Sequence, residues 1–318
     1  MKFSSPAVAL LSLLTLILLF PDSAPAADQK AVLVTGANSG IGRNIAERLA
    51  REGYFVYAGA RRDADIEELS AIENMQGIRL DVTIQEDIDA AVETVRAGDR
   101  GLYGVVNNAG VVIMSILAET PEAEMDFVFD VNVYGPYRVV NAFAPLLVES
   151  KGRITTISSM AGLSSPPGYG VYSMSKHAIE AFSDTLAKEM GTVGIRSSVV
   201  EPGPYKSNAV ASNCKRRAAQ NYDPSESLFA EMAQELAALC QGDLKNDFPE
   251  PDAVADAVLH ALFAENPKAR YLAVTDRRHA EFIMRSAIAE LAELSNGLRF
   301  DFSRDELIAI LDESLAAP

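Results

Sequence analysis

Residues 31–42 read AVLVTGANSGIG, and this stretch decides the fold. Its first four residues are wholly apolar, which is typical of a strand that is buried on both faces of a sheet. The next eight carry glycines in the spacing Gly-x-x-x-Gly-x-Gly, and residues 44–51 follow with the apolar periodicity of a helix. Glycines let a backbone approach a pyrophosphate closely, and the free N–H groups of a helix N-terminus bind it. The strand, the turn and the helix together predict a phosphate-binding loop.

The rest of the chain alternates short apolar runs with amphipathic segments. Further strands are predicted at 54–58, 78–80, 103–106, 154–157, 195–200 and 270–274, and helices at 66–75, 84–96, 120–149 and 172–190. Strands that alternate with helices imply a parallel sheet covered by helices on both faces. We therefore expect a single α/β domain, a doubly wound parallel sheet of the Rossmann type, over residues 28–275. Residues 276–318 are expected to form a helical C-terminal extension, in which Ser303 and Glu306 begin the last helix with a capping box.

The composition excludes several classes of protein. The 318-residue chain is 48% hydrophobic and 23% charged, which supports a full core and excludes a mainly disordered protein. Its net charge of −16 argues against a nucleic-acid partner, because such proteins neutralise phosphates with basic residues. Cys214 and Cys240 are too few for a disulfide scaffold, and no Cys/His cluster has metal-ligand spacing. We expect no metal site.

The first 27 residues form a separate segment. Lys2 is followed by an apolar stretch over 7–20 and by an Ala-x-Ala at 24–26, the pattern of a secretory signal peptide. As a helix the stretch would reach about 21 Å, short of the roughly 30 Å of a hydrocarbon core. A cleaved signal peptide, with export or an endomembrane lumen as the location, is the first interpretation. An uncleaved N-terminal membrane anchor and a mispredicted start codon, which would make the protein cytoplasmic, are the alternatives.

The end of the second predicted strand bears on the choice of dinucleotide. NAD sites usually place an Asp or Glu about 20 residues after the glycines, where it holds the ribose 2′-hydroxyl. Ala60 takes that position and Arg61 follows it. An acid there would repel a 2′-phosphate, whereas a guanidinium pairs with one. Arg61 therefore favours NADP as the cofactor. The alternative is that Arg61 or Arg62 is a solvated loop charge, and then NAD is the cofactor.

Three further motifs follow in order along the chain. The sequence NNAG at 107–110 comes directly after the fourth predicted strand, and Asn132 lies in the helix that follows. Ser159 comes after the fifth strand and precedes a Tyr-x-x-x-Lys pair, Tyr172 and Lys176. With the glycine loop upstream, these motifs predict one shared site, although each residue alone would more often serve packing or a turn.

Together the motifs resemble the short-chain dehydrogenase/reductase family over residues 31–207. The stretch 56–110 is most similar to the retinol and hydroxysteroid dehydrogenase branch. The resemblance implies an NAD(P)-dependent oxidoreductase that interconverts an alcohol and a ketone or aldehyde by hydride transfer.

The resemblance also implies roles for individual residues. The catalytic residues would be Ser159, Tyr172, Lys176 and Asn132, with Asn132 fixing a water that relays the proton. Tyr172 and Lys176 would also contact the cofactor. The other implied cofactor contacts are Gly36, Asn38, Ser39, Gly40, Ile41, Gly42, Arg61, Asp81, Val82, Asn108, Ala109, Gly110, Pro202, Gly203 and Ser207.

The chemistry of Tyr172 and Lys176 follows from their residue types. They lie four residues apart and so share one face of the predicted helix. Ionising a free tyrosine at pH 7 costs about 4 kcal/mol. A lysine ammonium about 4 Å away in a partly desolvated cleft supplies roughly the same amount. We expect Tyr172 to act as acid or base on the alcohol oxygen, and Ser159 to hydrogen-bond that oxygen as charge develops.

Residues 205–242 form the expected substrate lid. The apolar lid residues at helical spacing serve either as a wall for a lipophilic substrate or as core packing. They are Leu228, Phe229, Met232, Leu236 and Leu239. A homodimer or homotetramer is expected, with the last helix as a docking or dimer contact. Two other functions stay open: a cofactor-binding redox sensor or scaffold that no longer turns over, and an interaction protein that uses its C-terminal helices.

Overall fold

A parallel sheet forms the centre of the protein in a computed structural model, which describes residues 29–220, 222–241, 247–297 and 299–316. The strands are β1 (Ala31–Val34), β2 (Phe55–Ala60), β3 (Met75–Arg79), β4 (Gly104–Asn107), β5 (Arg153–Ile157), β6 (Arg196–Pro202) and β7 (Arg270–Ala273). Their order in the sheet is β3-β2-β1-β4-β5-β6-β7, and all neighbours run parallel. This order confirms the predicted doubly wound sheet.

Helices cover both faces of the sheet. They are α1 (Gly40–Arg51), α2 (Asp63–Ser70), α3 (Gln85–Ala97), α4 (Glu122–Phe129), α5 (Gly135–Ser150), α6 (Gly170–Gly191), α7 (Ala209–Ala219), α8 (Ala230–Ala238), α9 (Asp252–Phe263), α10 (Arg277–Ser295) and α11 (Arg304–Ala316). Val32 and Val34 of β1 pack in a core with α1 and α9, and Ala31 and Leu33 pack in another with α3 and α5. Because both faces are covered, β1 is apolar at every position.

Two predicted helices differ from the structure. The helix expected over 66–75 is α2, which ends at residue 70. Asn74 turns the chain with a φ of +60°, and Met75 already begins β3. The helix expected over 120–149 is interrupted by a π-helical turn, Asp130–Tyr134, which separates α4 from α5. Periodicity alone does not distinguish such a turn from continuous α-helix.

The chain beyond β7 forms the expected helical extension, α10 and α11. The predicted capping box is present: the backbone N–H of Ser303 donates to Glu306 at 2.8 Å, and that of Glu306 donates to the Ser303 hydroxyl at 3.4 Å. Among the described residues of these two helices, Ile283 alone is buried. Residues 1–27, expected to be a signal peptide or anchor, lie outside the described residues. Within the described ranges, no helix is long and apolar enough to cross a membrane.

A disulfide between Cys214 and Cys240 joins α7 to the end of α8 within the lid segment. The two residues are 26 apart in sequence, and their Cα atoms lie 5.4 Å apart. Two cysteines do not make a scaffold, as expected, but they do make a local crosslink that the sequence analysis did not predict. A crosslink of this kind stabilises mainly by restricting the unfolded segment.

We expect reduction of this disulfide to loosen the lid. In the chain-entropy account, closing a loop of this length contributes about 3.5 kcal/mol. Trypsin cleavage at Lys215, Arg216 and Arg217 of α7 should therefore be at least about tenfold faster with dithiothreitol than without it. The Cys214→Ser/Cys240→Ser variant is the control and should be cut at the faster rate in both conditions. Equal cleavage of the wild type with and without reductant would contradict the stabilising role of the crosslink.

Candidate active site

The glycine loop lies between β1 and β4, where the order of the strands reverses. Ligands of open α/β sheets bind at such a point, beyond the carboxyl ends of the strands. The Thr35 hydroxyl accepts the backbone N–H groups of Asn108 and Ala109, each at 3.0 Å. The Asn108 amide donates to the carbonyls of Thr35 and Gly36 at 2.9 and 3.2 Å. These bonds fix the loop to the end of β4, and Thr35 was not among the predicted site residues.

Glycine is required at two positions of this loop. Gly36 has a φ of +65°, which L side chains rarely adopt. A Cβ on Gly42 would lie 2.3 Å from both the Gly36 carbonyl oxygen and the Asn108 amide nitrogen, so no side chain fits. Ser39 precedes α1 in an extended conformation, and Ile41 packs against the core. The loop therefore presents the half-exposed N-terminus of α1, which fits a pyrophosphate.

Two arginines follow Ala60 at the end of β2, and their partners differ. Arg62 donates two hydrogen bonds to the Asp65 carboxylate, at 2.7 and 2.5 Å. The Arg61 side chain is 68% exposed and lies 3.8 Å from Asp81. An exposed ion pair at that distance is weak. The guanidinium of Arg61 is therefore the more available of the two for a 2′-phosphate.

Asp65 is a residue that the sequence analysis missed. Its carboxylate also accepts from the Asn38 amide at 3.1 Å, so it joins the glycine loop to α2. The hydrogen bond from Arg62 holds the pKa of Asp65 below its ordinary value, and Asn38 adds to this effect. The i, i+3 spacing of Arg62 and Asp65 could have indicated the pair. Asp81 and Val82, two predicted cofactor contacts, follow β3. Asp81 is half-buried and Val82 is buried.

Tyr172 and Lys176 lie one turn apart on α6, as their spacing predicts. The Lys176 ammonium donates to the Ile157 carbonyl at 2.9 Å and lies 5.7 Å from the centre of the Tyr172 ring. Ser159 follows β5, accepts the backbone N–H of Ala161 at 3.1 Å and hydrogen-bonds with Tyr172. The end of β5 and the first half of α6 thus bring Ser159, Tyr172 and Lys176 into one site.

Burial acts on both titratable groups of this site. It raises the pKa of Tyr172 to about 12, although the hydrogen bond with Ser159 works in the opposite direction. It lowers the pKa of Lys176 to about 8, although the negative charge of Glu180 opposes the change. Both shifts favour the neutral form of the side chain. The chain by itself therefore keeps Tyr172 protonated at neutral pH.

Asn132 lies in the π-helical turn beside this group. Its side chain accepts the Val111 N–H at 2.8 Å and donates to the Val111 carbonyl at 2.9 Å and to the Ser175 hydroxyl at 3.0 Å. Gly110 lies against both polar groups, since a Cβ there would be 3.4 Å from Asn132 Oδ1 and 3.8 Å from Lys176 Nζ. The asparagine thus fixes the segment after β4 next to Lys176. The water relay assigned to Asn132 stays a prediction.

The cofactor contacts predicted at the end of β6 and beyond it lie on two sides of the site. They are Pro202, Gly203 and Ser207. The Gly203 N–H donates to the Ala273 carbonyl at 2.8 Å, which holds the Pro202-Gly203 turn against β7. Ser207 lies next to the glycine loop, because a Cβ on Gly40 would be 3.1 Å from the Ser207 Cβ. The structure therefore places Ser207 beside the phosphate-binding loop.

A cavity of about 260 Å³ lies between the lid and the segment after β4. Met114, Ile116 and Leu236 contribute to its apolar lining. Leu236 and Met232 of α8 pack with Met114 and Ile116, whereas Leu228 is 90% exposed. Two of the predicted apolar lid residues, Met232 and Leu236, are thus packed in the core. Leu236 also forms part of the cavity wall. None of the four predicted catalytic residues belongs to this lining.

Comparison with known proteins identifies the family. Residues 30–218 match the family model of short chain dehydrogenases. The chain is 34% identical over 274 residues to mitochondrial D-beta-hydroxybutyrate dehydrogenase of Rattus norvegicus, a match that covers 79% of each protein. It is 33% identical over 292 residues to retinol dehydrogenase 7 of Mus musculus, which covers 85% of this chain and 89% of that protein.

A solved structure agrees with this result. A short-chain dehydrogenase/reductase from Burkholderia phymatum in complex with NAD is 25% identical and superposes with a TM-score of 0.68 over 87% of this chain and 99% of that one. The resemblance inferred from the motifs is confirmed. The chain belongs to the short-chain dehydrogenase family and is an oxidoreductase that acts on alcohol and carbonyl groups with a nicotinamide cofactor.

Proposed function

We propose that Tyr172, Lys176, Ser159 and Asn132 form the catalytic group of this oxidoreductase, which acts on a lipophilic alcohol or ketone. The observation that carries the proposal is the position of the buried Lys176, next to Tyr172 on α6 and against the carbonyl at the end of β5. The nicotinamide group, when bound, supplies or accepts the hydride.

The chain's own residues handle the proton. Tyr172 donates its phenolic proton to the carbonyl oxygen during reduction and accepts one from the alcohol during oxidation. Ser159 donates a hydrogen bond to the same oxygen as negative charge develops there. The positive charge of Lys176 stabilises the phenolate form of Tyr172. Residues 36–42 hold the pyrophosphate against the N-terminus of α1.

NADP is the proposed cofactor. The exposed guanidinium of Arg61, with the neutral Ala60 before it, supports this choice because it can pair with a 2′-phosphate. The nearby Asp65 carboxylate is already engaged by Arg62 and Asn38. It is therefore less available to bind a ribose hydroxyl in the manner of an NAD site.

The name of a relative supports a lipophilic substrate. At 33% identity, that relative is named for retinol, a lipophilic alcohol. A panel of lipophilic ketones and alcohols with NADPH and NADH, followed at the nicotinamide absorbance, tests the function. Cofactor binding without turnover of any member would favour the alternative of a silent redox sensor or scaffold.

The domain boundaries, the cellular location and the oligomeric state are also proposals. Residues 28–275 form the catalytic domain with a lid over 205–242, and residues 276–318 form the extension. The Cys214–Cys240 disulfide supports export by a signal peptide, because disulfides persist in oxidising compartments.

A homodimer or homotetramer is supported by exposed apolar residues on and between the last two helices. They include Phe282, Ile288, Leu291, Leu294, Phe300, Leu311 and Leu315.

Tyr172→Phe should abolish turnover while the cofactor still binds, because only the phenolic hydroxyl is removed. A general acid–base usually contributes about 10²–10⁴-fold to the rate, so the loss in kcat should fall in that range. Tyr169→Phe is the matched control, since its ring lies 6.4 Å from that of Tyr172, and it should keep most of the activity. Retention of more than about a tenth of wild-type kcat in Tyr172→Phe would show that Tyr172 is not the proton donor.

Lys176→Ala should lose both turnover and cofactor affinity, because we propose two roles for the side chain: it stabilises the phenolate of Tyr172 and, as the family resemblance implies, it holds the nicotinamide ribose. Lys188→Ala is the control, since Lys188 lies on the same helix but is exposed. Cofactor titration by fluorescence and steady-state kinetics give the two readouts separately. An unchanged cofactor affinity in Lys176→Ala would remove the ribose contact from the proposal.

The wild type should prefer NADPH over NADH by roughly 10- to 150-fold in kcat/KM, since a charge-assisted contact contributes about 1.5–3 kcal/mol. Ala60→Asp/Arg61→Leu removes the phosphate partner and adds an acceptor for the ribose hydroxyl, so the ratio should move toward NADH. Arg51→Leu is the control, and its ratio should stay near that of the wild type because Arg51 is exposed in the last turn of α1, at the end of the helix away from the glycine loop. A wild type that prefers NADH, or a double variant with an unchanged ratio, refutes the NADP assignment.

A further inference from the structure

An ion-pair network lies behind the catalytic helix, and the proposed reaction does not use it. Arg270 of β7 donates from Nη1 to both Glu180 of α6 and Glu201 of β6, the latter at 3.0 Å. Its Nη2 donates to Asp184 at 2.6 Å. Glu180 and Glu201 are 7% and 1% exposed. Burying two carboxylates on one guanidinium is costly, so stability alone does not account for this pair.

The network reaches the site through two adjacent elements. Glu180 lies four residues after Lys176 and therefore on the same face of α6. Both side chains are buried, at 7% and 6% exposure. Glu201 follows Val200 on β6, Val200 pairs with Ile157 on β5, and the Ile157 carbonyl accepts the Lys176 ammonium. Glu180 thus lies one helical turn beyond Lys176 on the side away from Tyr172, and Glu201 lies one residue beyond the strand pair that Lys176 contacts.

Burial shifts the pKa of one of the two carboxylates. It raises the pKa of Glu201 to about 7, the charge of Glu180 adds to the rise, and Arg270 opposes it. The Glu180 Oε1 atom is buried without a hydrogen-bond partner among the described residues, since only Oε2 meets Arg270. The negative charge of Glu180 therefore acts on Lys176 with little screening by water.

We propose that Glu180 is a positioning residue of the reaction: its carboxylate, anchored by Arg270 one turn behind Lys176, keeps that buried side chain in the ammonium form. The proposal rests on the proposed function of the site, because the ammonium is what stabilises the phenolate of Tyr172. A purely structural Glu180 would only hold α6 against β7. Its removal would then lower the melting temperature and leave the titration of Lys176 unchanged.

Other charged groups face this part of α6, and their arrangement makes Glu180 the main influence. The helix itself contributes Tyr172 and Asp184, of which Asp184 is 54% exposed and therefore screened. Strand β6 contributes Glu201 and β7 contributes Arg270. Segment 158–162 adds hydroxyl groups and no carboxylate. On the elements that precede α6, the carboxylates of two residues are paired with arginines elsewhere. They are Glu124 with Arg216 and Asp130 with Arg138.

The test compares Glu180→Gln with Asp184→Asn. Both variants remove one carboxylate from Arg270, but only the first removes a charge next to Lys176. The fall of kcat/KM at alkaline pH should occur about one pH unit lower in Glu180→Gln than in the wild type. A lysine without its anionic neighbour loses its proton at a lower pH. In Asp184→Asn the fall of kcat/KM should occur at the same pH as in the wild type. Should Glu180→Gln not fold, Glu180→Ala carries the same expected shift.

A second readout does not depend on turnover. In cofactor-free protein with ¹³C-labelled lysine, the Lys176 resonance, assigned by its absence in Lys176→Arg, should titrate about one unit lower in Glu180→Gln than in the wild type. An unchanged Lys176 titration overturns the inference and leaves the proposed function intact. A shifted titration in a protein that oxidises or reduces no substrate supports the inference about Glu180 and contradicts the proposed function instead.

Discussion

Gly42 lies so close to the carbonyl oxygen of Gly36 that a side chain there would overlap it, and the Asn108 amide fills the same space. This close packing confines the turn between β1 and α1 to five residues, 35–39, and places the N-terminus of α1 at the point where the strand order reverses. Asn108 joins the loop to β4, and Gly110 after it lies against Asn132 and Lys176. The packing of the glycine loop on β4 therefore positions the segment that lies against Asn132 and Lys176.

Helix α6 connects the Tyr172–Lys176 part of the site to the last strands of the sheet. Its first turns present Tyr172 and Lys176 to the space above β5, and the next turn presents Glu180 to Arg270. Arg270 in turn binds Glu201 at the end of β6, immediately before the Pro202-Gly203 turn. One helix thus joins Tyr172, the proposed proton donor, to a buried ion-pair network at the far strands of the sheet. A displacement of α6 would change both groups together.

Sequence patterns predicted those parts of the site that depend on neighbours close in the chain. The apolar β1, the glycine spacing and the four-residue interval from Tyr172 to Lys176 are all local, and each one confines the backbone to one geometry. The Cys214–Cys240 bond and the Arg270–Glu180 pair join residues 26 and 90 positions apart. Such pairs depend on how helices pack, which spacing does not reveal. The end of α2 was missed because Asn74, a residue that tolerates positive φ, lies within an apparently periodic run.

Under the roles proposed for Tyr172 and Lys176, the electrostatics of the site give the two directions of the reaction different requirements. Burial holds the pKa of Tyr172 at about 12, so the proton needed for carbonyl reduction is already in place at neutral pH. Oxidation needs the phenolate, whose formation becomes easier as the pH rises. The same rise removes the charge of Lys176, whose pKa is about 8, and with it the stabilisation of that phenolate. The pH range open to oxidation is therefore bounded from above by Lys176. Any group that keeps Lys176 charged, as we propose for Glu180, extends that range without touching the substrate.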